Sequence, residues 1–281
     1  MTFSHAYMLL TEHPVFGRIV WFWVGLCIGS FLNVCIWRVP NGMSLISPPS
    51  HCPKCDHPIR AWENIPILSW LFLRGKCSSC KQPISIRYPL VEGLTGLVFL
   101  GVFLAKSGNG APALFMYSVT AAVLIAAAFT DCDYRIVPDG FVLTQLVALL
   151  VLIAWQRFGE WEQLALYLAA TLIVPGILLS GFAMLGRGLS GKQVFGWGDV
   201  KLLTVLAPVL NLIDLLWLIL IAAILALLIA PVYKKLKPKM RHRAIPFVPF
   251  IALAAGIVCL TPLTAKLGAL LYPQLVSLQG M

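Results

Sequence analysis

The chain has 281 residues, of which 59% are hydrophobic and only 11% are charged, and its formal net charge is +10. Soluble domains carry about 25% charged residues, so the composition excludes a water-soluble globular protein and predicts one that is solvated mainly by lipid. The positive charge could indicate nucleic-acid binding, but no basic and aromatic recognition module accompanies it. We therefore expect the charge to orient the protein in the bilayer, with no nucleic-acid partner.

The first apolar run, at 18–38, is predicted to be a membrane helix. Glu12 and His13 precede it, and no small-residue cleavage site follows a short apolar core. A cleavable signal peptide is therefore not expected. Residues 1–38 are predicted to form an outer N-terminus and the first membrane span.

Residues 39–87 are the longest polar stretch and carry two CxxC pairs, CPKC at Cys52 and Cys55 and CSSC at Cys77 and Cys80. Each pair aims two thiolates at one point, and two pairs complete a tetrahedral Zn²⁺ site. Four Cys ligands leave no open coordination position, so the predicted zinc is structural. A module without a sizeable core would depend on it to fold. A pair of disulfides and a redox-active or iron site remain as alternatives.

Apolar runs in residues 88–281 predict seven further membrane helices, because about 20 apolar residues cross the hydrocarbon core and backbone groups in lipid must bond internally. The eight predicted spans are 18–38, 88–106, 111–130, 141–157, 163–186, 200–211, 213–233 and 246–268. The sixth is short and contains Pro208, which predicts a broken or tilted segment. The predicted fold class is an all-α polytopic membrane protein of about eight transmembrane helices with a small cytoplasmic zinc-binding insertion.

The distribution of Lys and Arg predicts the orientation of these spans. If residues 39–87 are cytoplasmic, the loops at 131–139, 187–199 and 234–245 are cytoplasmic too. Of the 21 basic residues, 17 then lie inside or at the inner boundary, as the positive-inside rule requires. This arrangement places both termini outside.

Five of the eleven acidic residues are predicted at the cytoplasmic ends of spans, namely Glu92, Asp131, Asp133, Asp139 and Asp199. Two of these five, Asp131 and Asp199, are predicted at a similar depth on different helices. Asp131, in FTDCDYRIVPD, ends the third span, and Asp199, in VFGWGDVKLL, begins the sixth. Acids at such depths face protein or a water-filled cavity. Two carboxylates in one cavity cannot both ionise easily, so one activates water as a base and the other protonates the leaving amide nitrogen as an acid. Gly196 and Gly198 would let a substrate strand approach Asp199 closely.

Two other interpretations of these carboxylates stay open on the residues alone. Asp199 could cap its helix N-terminus, with Gly196 and Gly198 serving the turn. The pair could also form the proton relay of a membrane transporter that carries a structural zinc module. Serine and metal proteases are weaker candidates, because GxSxG and HExxH are absent from the sequence. Glu92, at the start of the second span, is expected to pair with a nearby basic group.

Several motifs follow one another along the chain. They are GSFLNVCIWRVP at 29–40, the CPKC and CSSC pairs, ENIPILSWLFLRGKC at 63–77, ISIRYPLVE at 84–92, the Asp131 segment and GWGD at 196–199. Together they resemble the prepilin peptidase family, also called type IV leader peptidases, from the first span through the sixth. GWGD alone is a weak signal, whereas the ordered set is specific.

The resemblance implies an aspartyl protease of the bacterial inner membrane. Its substrates would be prepilins of type IV pili or pseudopilins of a secretion system, from which it removes a basic leader at the cytoplasmic face. The first catalytic Asp of the family precedes an Ile/Leu-Pro pattern by seven residues, which selects Asp131 before Pro138. The second is the Asp of GxGD, here Asp199.

The resemblance also implies a second activity. Members with two CxxC pairs methylate the newly exposed N-terminus with S-adenosylmethionine, so residues 39–87 are expected to be the methyltransferase part and 88–281 the peptidase domain. No glycine-rich fingerprint marks a methyl-donor site, and no donor-binding residue is predicted.

Overall fold

The computed structural model describes residues 3–156, 166–190, 196–210, 212–236 and 245–260. Within these ranges all extended regular elements are helices, and strand-like pairing is limited to two isolated bridges, His51 with Pro58 and Lys76 with Pro83. The prediction of an all-α fold is therefore confirmed. The chain divides into two compact units, Met1–Gly140 and Phe141–Met281.

The first unit consists of helices around a small insertion. Its helices are α1 (Phe3–Glu12), α2 (Pro14–Arg38), α3 (Leu68–Phe72), α4 (Arg87–Lys106) and α5 (Ala111–Tyr134), with 3₁₀ turns at Ala61–Asn64 and Ser107–Asn109. α2 begins with proline, whose fixed φ and missing N–H suit the first position of a helix. The insertion between α2 and α4 contains α3 and both CxxC pairs.

Small residues bring α2 and α4 into backbone contact. A Cβ atom placed on Gly25 would lie 2.8 Å from the Cα of Gly96, and one on Gly29 would lie 2.7 Å from the Cα of Glu92. Helices in lipid associate through such close packing, since burying apolar surface there gives no hydrophobic driving force. α5 packs against both helices, and the indole N–H of Trp21 donates to the Ser118 hydroxyl at 3.1 Å.

The second unit contains most of α6 (Asp139–Gln156), then α7 (Val174–Ser190), α8 (Trp197–Leu206), α9 (Leu212–Leu236) and α10 (Val248–Leu260). A π-helical turn, Ala169–Ile173, precedes α7. α7 packs on α8, where a Cβ on Gly176 would lie 3.1 Å from the Thr204 methyl carbon. The Tyr167 hydroxyl donates to the Pro208 carbonyl at 3.0 Å, which ties the end of α8 to this packing.

Five helices in the described ranges are long and apolar enough to cross a membrane. They are Pro14–Arg38, Arg87–Asn109, Ala111–Tyr134, Leu166–Leu189 and Ile213–Tyr233. The predicted fourth and eighth spans correspond to shorter apolar helices, Asp139–Leu152 and Val248–Leu260. The predicted sixth corresponds to the ten-residue α8. These helices indicate a polytopic helical membrane protein, as predicted. The count of about eight spans is not confirmed. Residues 261–268 of the last predicted span lie outside the described ranges.

Candidate functional site

The two CxxC pairs form matching turns. The backbone N–H of Cys52 donates to the His57 carbonyl and that of Asp56 to the Cys52 carbonyl, both at 2.9 Å. The second pair repeats this pattern, with Cys77 donating to Gln82 and Lys81 to Cys77. The residue that closes each turn has a positive φ, 53° at Asp56 and 59° at Lys81. The local sequence thus builds the same two-thiol hook twice.

These turns bring all four predicted ligands together. The Sγ atoms of Cys52, Cys55, Cys77 and Cys80 lie within 4.8 Å of one another. The separation is 3.9 Å between Cys52 and Cys80 and 4.0 Å between Cys55 and Cys77. A tetrahedral zinc with Zn–S bonds of about 2.3 Å requires sulfur separations of about 3.8 Å, whereas a disulfide requires about 2.0 Å. The donor set therefore fits a four-thiolate metal site and not a pair of disulfides.

The thiols of this cluster influence one another's ionisation. Backbone N–H groups of Cys80 and Ser79 lower the pKa of Cys77 to about 6. A hydrogen bond to the Gln82 backbone lowers the pKa of Cys80, but burial and the neighbouring sulfurs outweigh it and raise that pKa to about 11. Four adjacent thiolates need a cation to stay ionised together, so metal binding would release protons.

Glu63 links the two hooks and was not singled out by the motif analysis. It is buried, its Oε2 accepts the Arg60 backbone N–H at 2.8 Å, and the same oxygen lies 3.4 Å from Nε2 of His57. A hydrogen bond with the Ser78 side chain, followed by that with Arg60, lowers the pKa of the Glu63 carboxyl. His57 follows the first CxxC and Ser78 lies within the second, so one carboxylate contacts both. Its spacing from Arg60 is that of a capping box, which is the local signal that could have identified it.

Glu92 connects the insertion to α4. It is buried, and its Oε2 accepts the backbone N–H of Ile67 at 2.7 Å, with Ser30 of α2 as a second hydrogen-bonding neighbour. The expectation of a basic partner was wrong, because in the described part of the chain this carboxylate binds a backbone donor at the start of α3. Ile67 has a φ of 60°, a backbone conformation that the buried hydrogen bond helps to hold.

Asp131 lies in the last turn of α5 and is 7% exposed. Its carbonyl accepts the backbone N–H of Arg135, whose φ of 61° ends the helix. Two residues further on, the exposed Asp133 forms an ion pair with Arg87 of α4, whose guanidinium also lies 5.4 Å from the centre of the Phe129 ring. The two acids of this turn therefore differ: Asp131 is buried, and Asp133 pairs with Arg87 at the surface.

Asp199 is the third residue of α8 and is partly buried. Gly196 occupies the N-cap and Gly198 the second helical position. A Cβ on Gly196 would lie 3.0 Å from Oδ2 of Asp199, so the carboxylate folds back over the helix N-terminus. Asp199 is therefore not the N-cap residue, although an acid in the first turn does complement the helix dipole. Asp131 belongs to the first unit and Asp199 to the second.

Two protein-family models match the chain. The model of the bacterial peptidase A24 N-terminal domain matches residues 23–106, and that of the type IV leader peptidase family matches residues 118–231. The first range contains the four cysteines, and the second contains Asp131 and Asp199.

Curated relatives match over most of the chain. The prepilin leader peptidase/N-methyltransferase of Stutzerimonas stutzeri is 35% identical over 84% of this chain and 88% of its own length. That of Neisseria gonorrhoeae is 35% identical over 84% and 87%. The type 4 prepilin-like proteins leader peptide-processing enzyme of Escherichia coli O78:H11 is 37% identical over 82% and 88%. No solved structure matches the chain significantly.

Proposed function

The chain belongs to the type IV leader peptidase family, and we propose that it cleaves the basic leader from type IV prepilins or pseudopilins and then methylates the new N-terminal residue. One observation carries this proposal: relatives that are named for both activities, such as those of Stutzerimonas stutzeri and Neisseria gonorrhoeae, align with more than four-fifths of the chain. The aligned chain contains a four-thiol cluster and the two candidate aspartates in the order of the two domain models.

For proteolysis, Asp131 and Asp199 would act together on one peptide bond. One carboxylate takes a proton from water, whose oxygen then bonds to the scissile carbonyl carbon. The protonated partner gives its proton to the amide nitrogen as the C–N bond breaks. Burial of Asp131 and the partial burial of Asp199 suit this division, because desolvation favours a shared proton over two charges.

For topology, we propose eight spans with both termini outside and with the insertion and the aspartates at the cytoplasmic face of the bacterial inner membrane. The five long helices supply most of the spans. α6 has 18 residues, or about 27 Å, which nearly crosses the hydrocarbon core. α8 would be the short sixth span and α10 the beginning of the eighth. The excess of Lys and Arg on one side supports this orientation.

For the metal, we propose a structural Zn²⁺ bound by Cys52, Cys55, Cys77 and Cys80. The sulfur separations suit a closed tetrahedral site, and the insertion between α2 and α4 has few buried residues of its own. Zinc would supply folding free energy to residues 39–87, the part proposed to methylate. S-adenosylmethionine, when bound, supplies the methyl group of the second reaction.

The experiment that tests the peptidase is cleavage of a co-expressed prepilin, followed by gel shift, with wild type, Asp131→Asn and Asp199→Asn. Loss of a general acid or base costs about 10²–10⁴-fold, so each variant is expected to leave the precursor uncut. Asp214→Asn, at the start of α9, is the matched control and should cleave as the wild type does. All variants must accumulate in the membrane equally. Near-normal cleavage by either variant would show that its aspartate is structural.

A further inference from the structure

A cavity of about 430 Å³ lies within the first unit, between the C-terminal half of α2 and the beginning of the insertion. Its α2 wall includes Ser30, Phe31, Val34 and Arg38, and the facing wall comes from the loop at 45–50 and from Asn64 and Pro66. Small-molecule sites generally have volumes of 300–1,000 Å³. The cavity is therefore large enough for a nucleoside-sized ligand.

The cavity joins two sequence motifs that contain neither candidate aspartate. Its α2 residues belong to GSFLNVCIWRVP, and Asn64 and Pro66 belong to ENIPILSW, which begins more than 20 residues after the first motif ends. Both motifs lie in the range matched by the N-terminal domain model, whereas both candidate aspartates lie outside it. The convergence of these motifs on one cavity indicates a site built entirely from the range of the N-terminal domain model.

Arg38 holds the loop that forms the facing wall. The residue is only 7% exposed, and its Nη1 and Nη2 atoms donate to the carbonyls of Ser44 at 2.9 Å and Pro48 at 2.7 Å. These bonds fix a buried guanidinium at the cavity, and both of their acceptors are backbone carbonyl oxygens and not carboxylates. A fixed positive charge of this kind suits a ligand that carries a carboxylate.

The remaining wall is amphipathic. Ser30, Ser50 and Asn64 offer hydroxyl and amide groups, while Phe31 and Ile46 are largely exposed apolar side chains, 50% and 91% respectively. An aromatic face and aliphatic groups suit a planar base, and hydroxyl and amide groups suit a ribose. Carboxylate, ribose and planar base are the three recognisable parts of an amino-acid-linked adenosyl compound.

We propose that this cavity binds the adenosyl sulfonium methyl donor, with Arg38, Ser30, Asn64 and Phe31 as its recognition residues. The inference rests on the proposed N-methyltransferase activity and deepens it by naming the donor site. In the reaction the neutral N-terminal amine forms the new N–CH₃ bond as the S–CH₃ bond breaks. The bonding pair stays on sulfur as a thioether, and the amine loses one proton to water.

The test uses the purified full-length protein in lipid nanodiscs and measures equilibrium binding of radiolabelled S-adenosylmethionine. Val34→Trp places an indole in the cavity, and Asn64→Ala removes one polar group. We expect Val34→Trp to weaken binding at least 100-fold and Asn64→Ala about tenfold. Leu97→Trp, at a largely exposed position of α4 (62%) that does not line the cavity, is the matched control and should bind normally. Retained zinc shows that each variant is folded.

Prepilin cleavage and product mass are measured on the same samples. Val34→Trp should cleave normally and yield a product that lacks the 14 Da increment of one methyl group, a mass set by the chemistry of replacing hydrogen with methyl. Unchanged donor binding by Val34→Trp would overturn the cavity assignment and leave the proposed function standing. Loss of a co-purified phospholipid from Val34→Trp, with donor binding unchanged, would likewise overturn the cavity assignment and leave the proposed function standing. Absence of donor binding by wild-type protein that cleaves prepilin would overturn both the inference and the proposed methylation.

Discussion

At the scale of single residues, the space above Gly196 controls the position of the Asp199 carboxylate. A methyl group there would lie 3.0 Å from Oδ2, closer than ordinary contact. The glycine of this motif is therefore explained by the Asp199 carboxylate three residues away, since the backbone at Gly196 has an ordinary extended conformation with a φ of −72°. Its role is to leave room for a carboxylate that folds over the helix end.

We predict that Gly196→Ala lowers the kcat of prepilin cleavage about tenfold or more, since small displacements of a reacting group cost large factors in rate. Gly188→Ala is the matched control, because a Cβ at Gly188 meets no atom within 4 Å. The measurement is the cleavage rate of both purified variants at equal protein amount. An unaffected Gly196→Ala variant would show that the space is not needed for catalysis.

Glu63 allows a prediction of pH dependence. Hydrogen bonds from Ser78 and Arg60 lower its pKa, so its contribution to stability is present above the unfolded pKa of about 4.3 and is lost as pH falls through the lower folded pKa. At neutral pH, Glu63→Gln should release zinc to a chelator roughly tenfold faster, as expected for losing a hydrogen bond to a charged group worth about 1.5 kcal/mol.

The difference in zinc release between wild type and Glu63→Gln should narrow as the solution is acidified toward the folded pKa of Glu63. Glu12→Gln, at the exposed end of α1, is the control and should release zinc at the wild-type rate. A constant ratio of release rates across the whole pH range would contradict the assigned role of the ionised carboxylate.

At the scale of secondary-structure elements, the α2–α4 pair organises the first unit. Gly25 and Gly29 let the helix backbones meet, and Glu92, at the contact with Gly29, accepts the N–H of Ile67 from the insertion. The helix packing and the docking of the insertion therefore share one residue. α2 also supplies one wall of the proposed donor cavity, so a shift of α2 would affect that site as well.

We predict that Gly29→Ala destabilises the protein by about 1–3 kcal/mol, because its Cβ would meet the Cα of Glu92 at 2.7 Å and a backbone cannot yield as a flexible side chain does. The measurement is thermal unfolding of the purified protein in detergent. Gly108→Ala, in the same unit with no atom near its Cβ, is the control. Equal transition temperatures for the two variants would contradict close α2–α4 packing.

At the scale of the whole molecule, the two proposed activities map onto different parts of the chain. The N-terminal domain model covers the four cysteines and the donor cavity, while the leader peptidase model begins in α5 and continues into the second unit. Asp131 thus belongs to the same compact unit as the insertion, although it serves the other proposed activity. Damage that is confined to the insertion, and that leaves the rest of the first unit folded, should therefore reduce methylation more than proteolysis.

We predict that Cys77→Ser unfolds the insertion and abolishes methylation while prepilin cleavage falls by less than about tenfold, because the proposed metal would supply the folding free energy of residues 39–87 and not that of the membrane helices. The measurements are zinc content, gel shift and product mass on one set of samples. Ser79→Ala, between two ligands and exposed, is the control. Equal loss of both activities would refute this division between the two parts.

Several features follow from the sequence because they are encoded locally. Composition alone determines a lipid-solvated chain, and apolar runs determine helices, since no other backbone arrangement satisfies its own hydrogen bonds within a single segment of lipid-exposed chain. The CxxC spacing likewise determines each two-thiol hook, because the turn that aims the thiols is built from adjacent residues. The positions of Asp131 and Asp199 at helix ends were identified in the same way.

Only the tertiary structure decided which distant groups meet. The link of Glu63 to both hooks, the Glu92–Ile67 hydrogen bond and the joining of α2 to Asn64 across one cavity all connect residues far apart in sequence. Glu92 illustrates why such contacts between distant residues could not be predicted from the sequence. Its sequence neighbours indicate only a costly acid in a membrane helix, and what satisfies it is a backbone N–H whose position depends on how the whole insertion packs against α4.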